Sequence, residues 1–169
     1  GKPHDVIVEP RGRRAYVSVL GVDGANDYVV AYSTDTFEEV GRAAVGQDPH
    51  LSLSPNNDHL YVPCQNSSTV FVLDLITLNE ITTIAVPNAH GAAMTHDGKA
   101  FYTTNIAQGG TDGIFAVNAQ TNSVAADADT PFAVPHNIAL APHRPNVDRP
   151  SKLYITHSGA TADQVSVYD

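Results

Sequence analysis

Pro49-His-Leu-Ser-Leu-Ser-Pro-Asn-Asn-Asp-His-Leu-Tyr-Val-Pro-Cys64 reads as two short strands around a turn. Leu51 to Ser54 alternates apolar and polar residues at the period of two that a half-buried strand requires. Pro55 ends that run where its missing N–H costs little, and Asn56-Asn-Asp58 is turn chemistry. Leu60 to Cys64 is a second β-prone run. The stretch recurs. A histidine opens each of four copies (His4, His50, His90 and His136), preceded by proline in three of them and by Ala89 in the other. A tyrosine follows in the second run of each, at Tyr16, Tyr61, Tyr102 and, after an insertion, Tyr154. The steps between successive histidines are 46, 40 and 46 residues, the period of a propeller blade of four short strands.

Two further strand signals complete the unit. In the second copy they are Thr69 to Asp74 and Glu80 to Val86; in the third, Ile114 to Asn118 is clear and the run near Ser123 to Ala126 is weak. The fourth copy has only one of them, Gln164 to Asp169. The expected fold is all-β: a β-propeller portion of four blades (3–47, 48–87, 88–134 and 135–169), each a four-stranded antiparallel sheet, with the last incomplete. An open third strand is a hazard that proteins cover. The portion is therefore expected to be part or half of a larger ring, completed by another propeller segment or a second copy. The four repeated tyrosines are expected to pack between the strands of their own blades.

The motif Thr95-His-Asp-Gly-Lys99 followed by Tyr102-Thr-Thr-Asn105 resembles the YVTN β-propeller repeat family. Val70-Phe-Val-Leu-Asp74, Ile114-Phe-Ala-Val-Asn118 and Val165-Ser-Val-Tyr-Asp169 resemble that family's third strand, so the resemblance spans essentially the whole chain. It implies a propeller and, as in many secreted or cell-surface members, a scaffold that binds a small molecule or a protein in the periplasm or outside the cell. Some similar propellers open lactones, which makes a lactonase-type hydrolase one alternative. Propellers host many unrelated activities, so the resemblance is weak for function.

The formal net charge of −9, with nine basic residues in no block larger than Arg11, Arg13 and Arg14, argues against nucleic acid as a partner. No run of eighteen apolar residues is present, so no membrane span is expected. No glycine-rich loop opens a helix, so no nucleotide cofactor is expected. One cysteine excludes an internal disulfide. Ser158-Gly159 lacks a nucleophile elbow. Asp23, Asp27 and Asp112 match no calcium loop and read as turn residues.

Candidate site residues come from blade geometry. The first strand of a blade lines the central channel, so the four blade-start histidines face one rim. Three residues beyond each repeated tyrosine stand Val19, Cys64, Asn105 and His157, near the same rim. His90, His136, His157, His50, His4 and Cys64 are thus candidate ligands for copper or zinc, and His90, His136 and His157 are expected to form the tightest group. His4 and His50 are expected farther round the ring. A copper-dependent oxidoreductase using these channel histidines is the first alternative to the binding scaffold, and the lactonase-type hydrolase the second. The competing reading makes the repeated histidines turn-formers. His50 lies five residues before its strand-ending proline, whereas His4 and His136 lie six before theirs, a slip that turns His50 away unless a bulge corrects it. His59, His96 and His143 fall at the opposite, solvated turns.

Overall fold

The computed structural model describes residues 1–22, 25–56, 58–107, 113–141, 152–160 and 164–169. They form four antiparallel sheets, each a meander of consecutive strands. The first contains β1 (Lys2–Val8), β2 (Arg14–Leu20), β3 (Tyr28–Ser33) and β4 (Glu39–Ala44). The second contains β5 (Ser52–Leu53), β6 (His59–Cys64), β7 (Thr69–Asp74) and β8 (Glu80–Ala85). The third contains β9 (Ala89–Met94), β10 (Ala100–Asn105), β11 (Ile114–Asn118) and β12 (Ser123–Ala128). The fourth has three strands, β13 (Pro135–Leu140), β14 (Leu153–His157) and β15 (Val165–Tyr168), and β15 has no outer neighbour among the described residues. The architecture is that of propeller blades set face to face.

The alternating pattern of each strand puts one apolar set on each face, and the sets meet between blades. Leu51, Leu60, Val62 and Leu73 of the second blade pack with Tyr16, Val29 and Ala31 of the first. Phe101, Phe115 and Val117 of the third pack with Tyr61, Val70 and Val72 of the second. Ile138, Leu153 and Ile155 of the fourth pack with Ala93 and Ile114 of the third.

Tyr16 and Tyr61 do not stay within their own blades, and Tyr154 is exposed. The Tyr16 hydroxyl donates to the Leu75 carbonyl at 2.8 Å, and that of Tyr61 donates to Ala119 O and Asn122 Oδ1, each in the following blade. The Tyr61 ring stacks on Phe101 with centroids 4.9 Å apart. Side chains on a blade's face have no room beside them in their own sheet, so a long residue there crosses the seam. Burial pushes the Tyr61 phenol up to about 12.

Candidate metal-binding site

Each blade-start histidine follows a tight connection. Asp48, Asn88 and Val134, each two residues before a histidine, hold the left-handed conformation, with φ of 61°, 44° and 53°. Their carbonyls accept backbone N–H bonds from Gln65, Ile106 and Ser158, just past the second strand of the same blade, at 3.2, 3.3 and 3.1 Å. This turn delivers the chain to the channel side at the same place in blades two, three and four.

The ladder then adapts around the histidines. Register shifts occur at His4 (between Pro3 and Asp5), at His90-Gly91 opposite Thr104, and at His136-Asn137 opposite Thr156. These are bulges, in which an extra residue on the inner strand goes unpaired. A hydroxyl two residues past the repeated tyrosine caps each bulge: Ser18 accepts from Asp5 N, Thr104 from Gly91 N, and Thr156 from Asn137 N, at 3.0, 2.9 and 3.1 Å. The inner strand pair of the second blade has no such bulge. Pro49 pairs with Cys64, Ser52 pairs with Tyr61, and the register is unbroken between them. Proline (Pro63) stands there in place of the hydroxyl residue, and the Asp5 carboxylate of the first blade accepts from Leu51 N at 2.9 Å instead. The five-residue spacing from His50 to Pro55 is therefore matched by the loss of the extra residue, and His50 faces the same way as the others.

The result is a row of four imidazole rings. Centroids are 4.6 Å apart from His4 to His50, 3.9 Å from His50 to His90 and 4.6 Å from His90 to His136. Gly91 makes the close approach of the last pair possible: a Cβ there would lie 2.5 Å from the His136 carbonyl. The Thr104 hydroxyl, which receives Gly91 N–H, donates onward to that same carbonyl at 2.8 Å and so ties blade three to blade four beneath the row. The four rings, with Asp5 and Asn137, line a pocket of about 330 Å³.

Three ring nitrogens in the row, Nε2 of His50 and both of His90, are buried with no hydrogen-bond partner among the described residues. Burial, reinforced by neighbouring imidazoles, lowers His50 to about 4 and His90 to about 3, so both rings are neutral at pH 7 and present lone pairs. At the wetter end, His4 Nδ1 lies 3.2 Å from the Pro49 carbonyl and 3.5 Å from Asp48 Oδ1. Ligand atoms of His4, Asp48 and His50 all lie within 4.8 Å of one another. Bonds of roughly 2 Å hold two ligands of one ion at most about 4 Å apart, so small side-chain adjustments let these three share one.

The expected trio of His90, His136 and His157 is not the arrangement found. His157 is buried against Phe132 (5.3 Å between centroids), and both of its ring nitrogens have partners: Ala133 O beside Nδ1 at 3.3 Å and Ser166 Oγ beside Nε2 at 2.8 Å. A carbonyl only accepts, so Nδ1 carries the proton and Nε2 accepts from Ser166. Cys64 sits in the apolar seam between the first two blades, where burial pushes its thiol up to about 12, and its Sγ lies 3.4 Å from the Val62 carbonyl. Neither side chain lines the pocket. Conversely, His4 and His50, expected far round the ring, stand in the row: His4 adjoins His50, and His50 adjoins His90. Asp48 and Asp5 were missed by sequence reasoning; the signal that could have found Asp48 is its place two residues before His50.

The remaining polar candidates serve turns. Asp27 accepts from Gly21 N and Asp48 N at 2.7 and 2.6 Å. His59 pairs with Asp58 at 3.1 Å on the far side, and His96 is exposed. Asp23, Asp112 and His143 lie outside the described residues.

No protein-family model matches the chain, and no curated protein matches it. Solved structures do. The chain is similar over 99% of its length to hydrazine synthase of Kuenenia stuttgartiensis (TM-score 0.83, 20% identity, 46% of that chain covered). It is similar over 99% of its length to a functionally unknown protein from Desulfotomaculum acetoxidans (TM-score 0.76, 13% identity, 55% of that chain) and to a chain of a mitotic checkpoint complex (TM-score 0.76, 17% identity, 49% of that chain). At these identities the likeness shows the fold alone. The chain spans about half the length of each of these structures.

Proposed function

We propose that this chain is a YVTN-type propeller segment acting as a binding scaffold, and that its channel-side histidine row binds a borderline transition-metal ion, copper or zinc. The observation that carries the reading is the row itself: four imidazoles from four blades on one pocket, with three buried nitrogens unpartnered among the described residues. Buried polar atoms ordinarily find partners, and an unmet one costs about 1–3 kcal/mol. Imidazole nitrogen with one carboxylate oxygen is a donor set for zinc or copper rather than calcium or magnesium. His4, Asp48 and His50 would take the ion, with His90 and His136 continuing the row behind them. The Cβ clash at Gly91 and the Thr104 bridge support the reading, because both hold the rings close. Asp5 supports it from below by fixing Leu51, next to His50.

The pocket favours a second, finer reading. An ion held by three side chains at the wall of an open 330 Å³ space keeps a position for a small molecule, as a copper-dependent oxidoreductase requires.

The test is metal retention. The purified chain, loaded separately with Zn²⁺ and Cu²⁺ and then dialysed, should keep at least one ion, with copper held more tightly. His50→Ala should lose it and His59→Ala should keep it. Equal retention by the two variants would overturn the site.

A further inference from the structure

The four rings of the row are unevenly spaced. An ion bonded to two imidazole nitrogens at roughly 2 Å lies about 3.2 Å from each ring centroid. Angles of about 90–110° at the ion then put the two centroids about 4.5–5.2 Å apart. His4 with His50, and His90 with His136, stand at 4.6 Å, inside that window. His50 and His90 stand at 3.9 Å, too close to share an ion at those angles. The row therefore divides into two pairs, with a ring-on-ring contact between them.

Each pair joins two neighbouring blades, and each is tied beneath the rings. In the first, His4 Nδ1 lies 3.2 Å from the Pro49 carbonyl, and Asp48 supplies a third ligand atom. In the second, the Thr104 hydroxyl accepts from Gly91 N and donates to the His136 carbonyl, so blades three and four are fixed to each other at this point. Gly91 leaves room for that approach. His90 is only 6% exposed, and neither of its nitrogens has a hydrogen-bond partner among the described residues. A neutral imidazole carries one lone pair, and burying it unmet is costly unless something takes it up. His4, Asp48 and His50 are too far along the row to use it, because the 3.9 Å contact lies between. His136 is the ring that can share an ion with His90. Among the described residues no third histidine, cysteine or carboxylate joins this pair as Asp48 joins the first.

We infer that the row holds two ions of the copper or zinc class, the first on His4, Asp48 and His50 and the second on His90 and His136. The inference rests on the metal reading of the row and adds a site to it. The second ion's remaining positions face the pocket of about 330 Å³, where water or a small ligand completes them. With two protein ligands and no carboxylate it is the more loosely held of the two. It is therefore counted at equilibrium with free metal, whereas dialysis reads the first ion.

Calorimetric titration of the purified chain with Zn²⁺ tests it, with circular dichroism as the folding control. Two binding events per chain are expected. His136→Ala and His90→Leu should each remove the weaker event and leave the tighter one. His4→Ala should remove the tighter event and leave the weaker. A single event that His4→Ala abolishes would overturn the second ion and leave the first site standing, whereas no event at all would overturn both. A weaker event that survives both His136→Ala and His90→Leu would place that ion elsewhere and overturn the inference.

Discussion

His90 and His157 are equally buried and stand in neighbouring blades, yet the fold treats their rings in opposite ways. His157 closes β14 and has a partner at each nitrogen, Ala133 O and Ser166 Oγ. His90 opens β9 and has a partner at neither. The difference is one of position in the ladder. His157 lies opposite Pro135 on the paired side of the bulge, where its ring turns into its own sheet. His90 lies within a bulge, where the extra residue aims its ring out of the sheet and into the row. A histidine fixed on both nitrogens holds structure together; one left open on both is available to a ligand.

The largest expected effect sharpens that contrast. His157→Ala strands Ser166 and the Ala133 carbonyl and opens a cavity, and should lower stability by about 3 kcal/mol in chemical denaturation. His90→Leu removes two buried nitrogens that bond nothing and should raise the stability of the metal-free protein by about 1–2 kcal/mol. Equal losses for the two would break the comparison.

Next in size is the dependence on pH. His50 and His90 are lowered in the folded protein below the ordinary value of 6.5. The unfolded chain therefore binds more protons than the folded one at mildly acid pH. The stability linked to these rings is complete above about pH 6.5 and is lost as pH falls from there through 4 and toward 3. For the metal-free protein the loss should be on the order of 2 kcal/mol between pH 6.5 and 4, and smaller in His90→Leu. Denaturant midpoints measured across that range check it; a flat profile would mean that the row is wetter than the structure shows.

The third test moves the row rather than a ring. Thr104→Val keeps the shape but removes the bridge from Gly91 N to His136 O, and should cost about 1.5 kcal/mol. It should also weaken metal retention without touching a ligand. The smallest effect concerns the turn before His136. Val134 is a β-branched residue with φ of 53°, where Asp48 and Asn88 are the other occupants. Val134→Asn should relieve strain and raise stability by about 0.5 kcal/mol, read as a small upward shift in melting temperature.

Much of the blade architecture is legible in the sequence, because strand alternation and turn residues recur at a fixed period. The histidine row is partly legible for the same reason: a residue repeated at blade starts returns to the same radius and height. Which side chains stand beside it is not. The one-residue difference between the His50–Pro55 spacing and the others is visible in the sequence, but its meaning depends on bulges at His4, His90 and His136, which strand propensity does not encode. Hydroxyls at Ser18, Thr104 and Thr156, with Pro63 in the fourth place, are the trace those bulges leave. His157 misled because counting from Tyr154 gives height along the strand and not the face on which a ring turns. The tyrosines misled for a related reason: a sheet face is apolar for the sake of the next blade, not its own.

The central claim is that the blade-start row binds a ligand while His157 serves the fold. Long-range ¹H–¹⁵N spectra of the imidazoles, recorded while Zn²⁺ is added, test it ring by ring. His4 and His50 should lose their free resonances at one equivalent of zinc, with His90 and His136 perturbed and His157 unmoved. A titration that leaves His4 and His50 in place, or that shifts His157 with them, would contradict it.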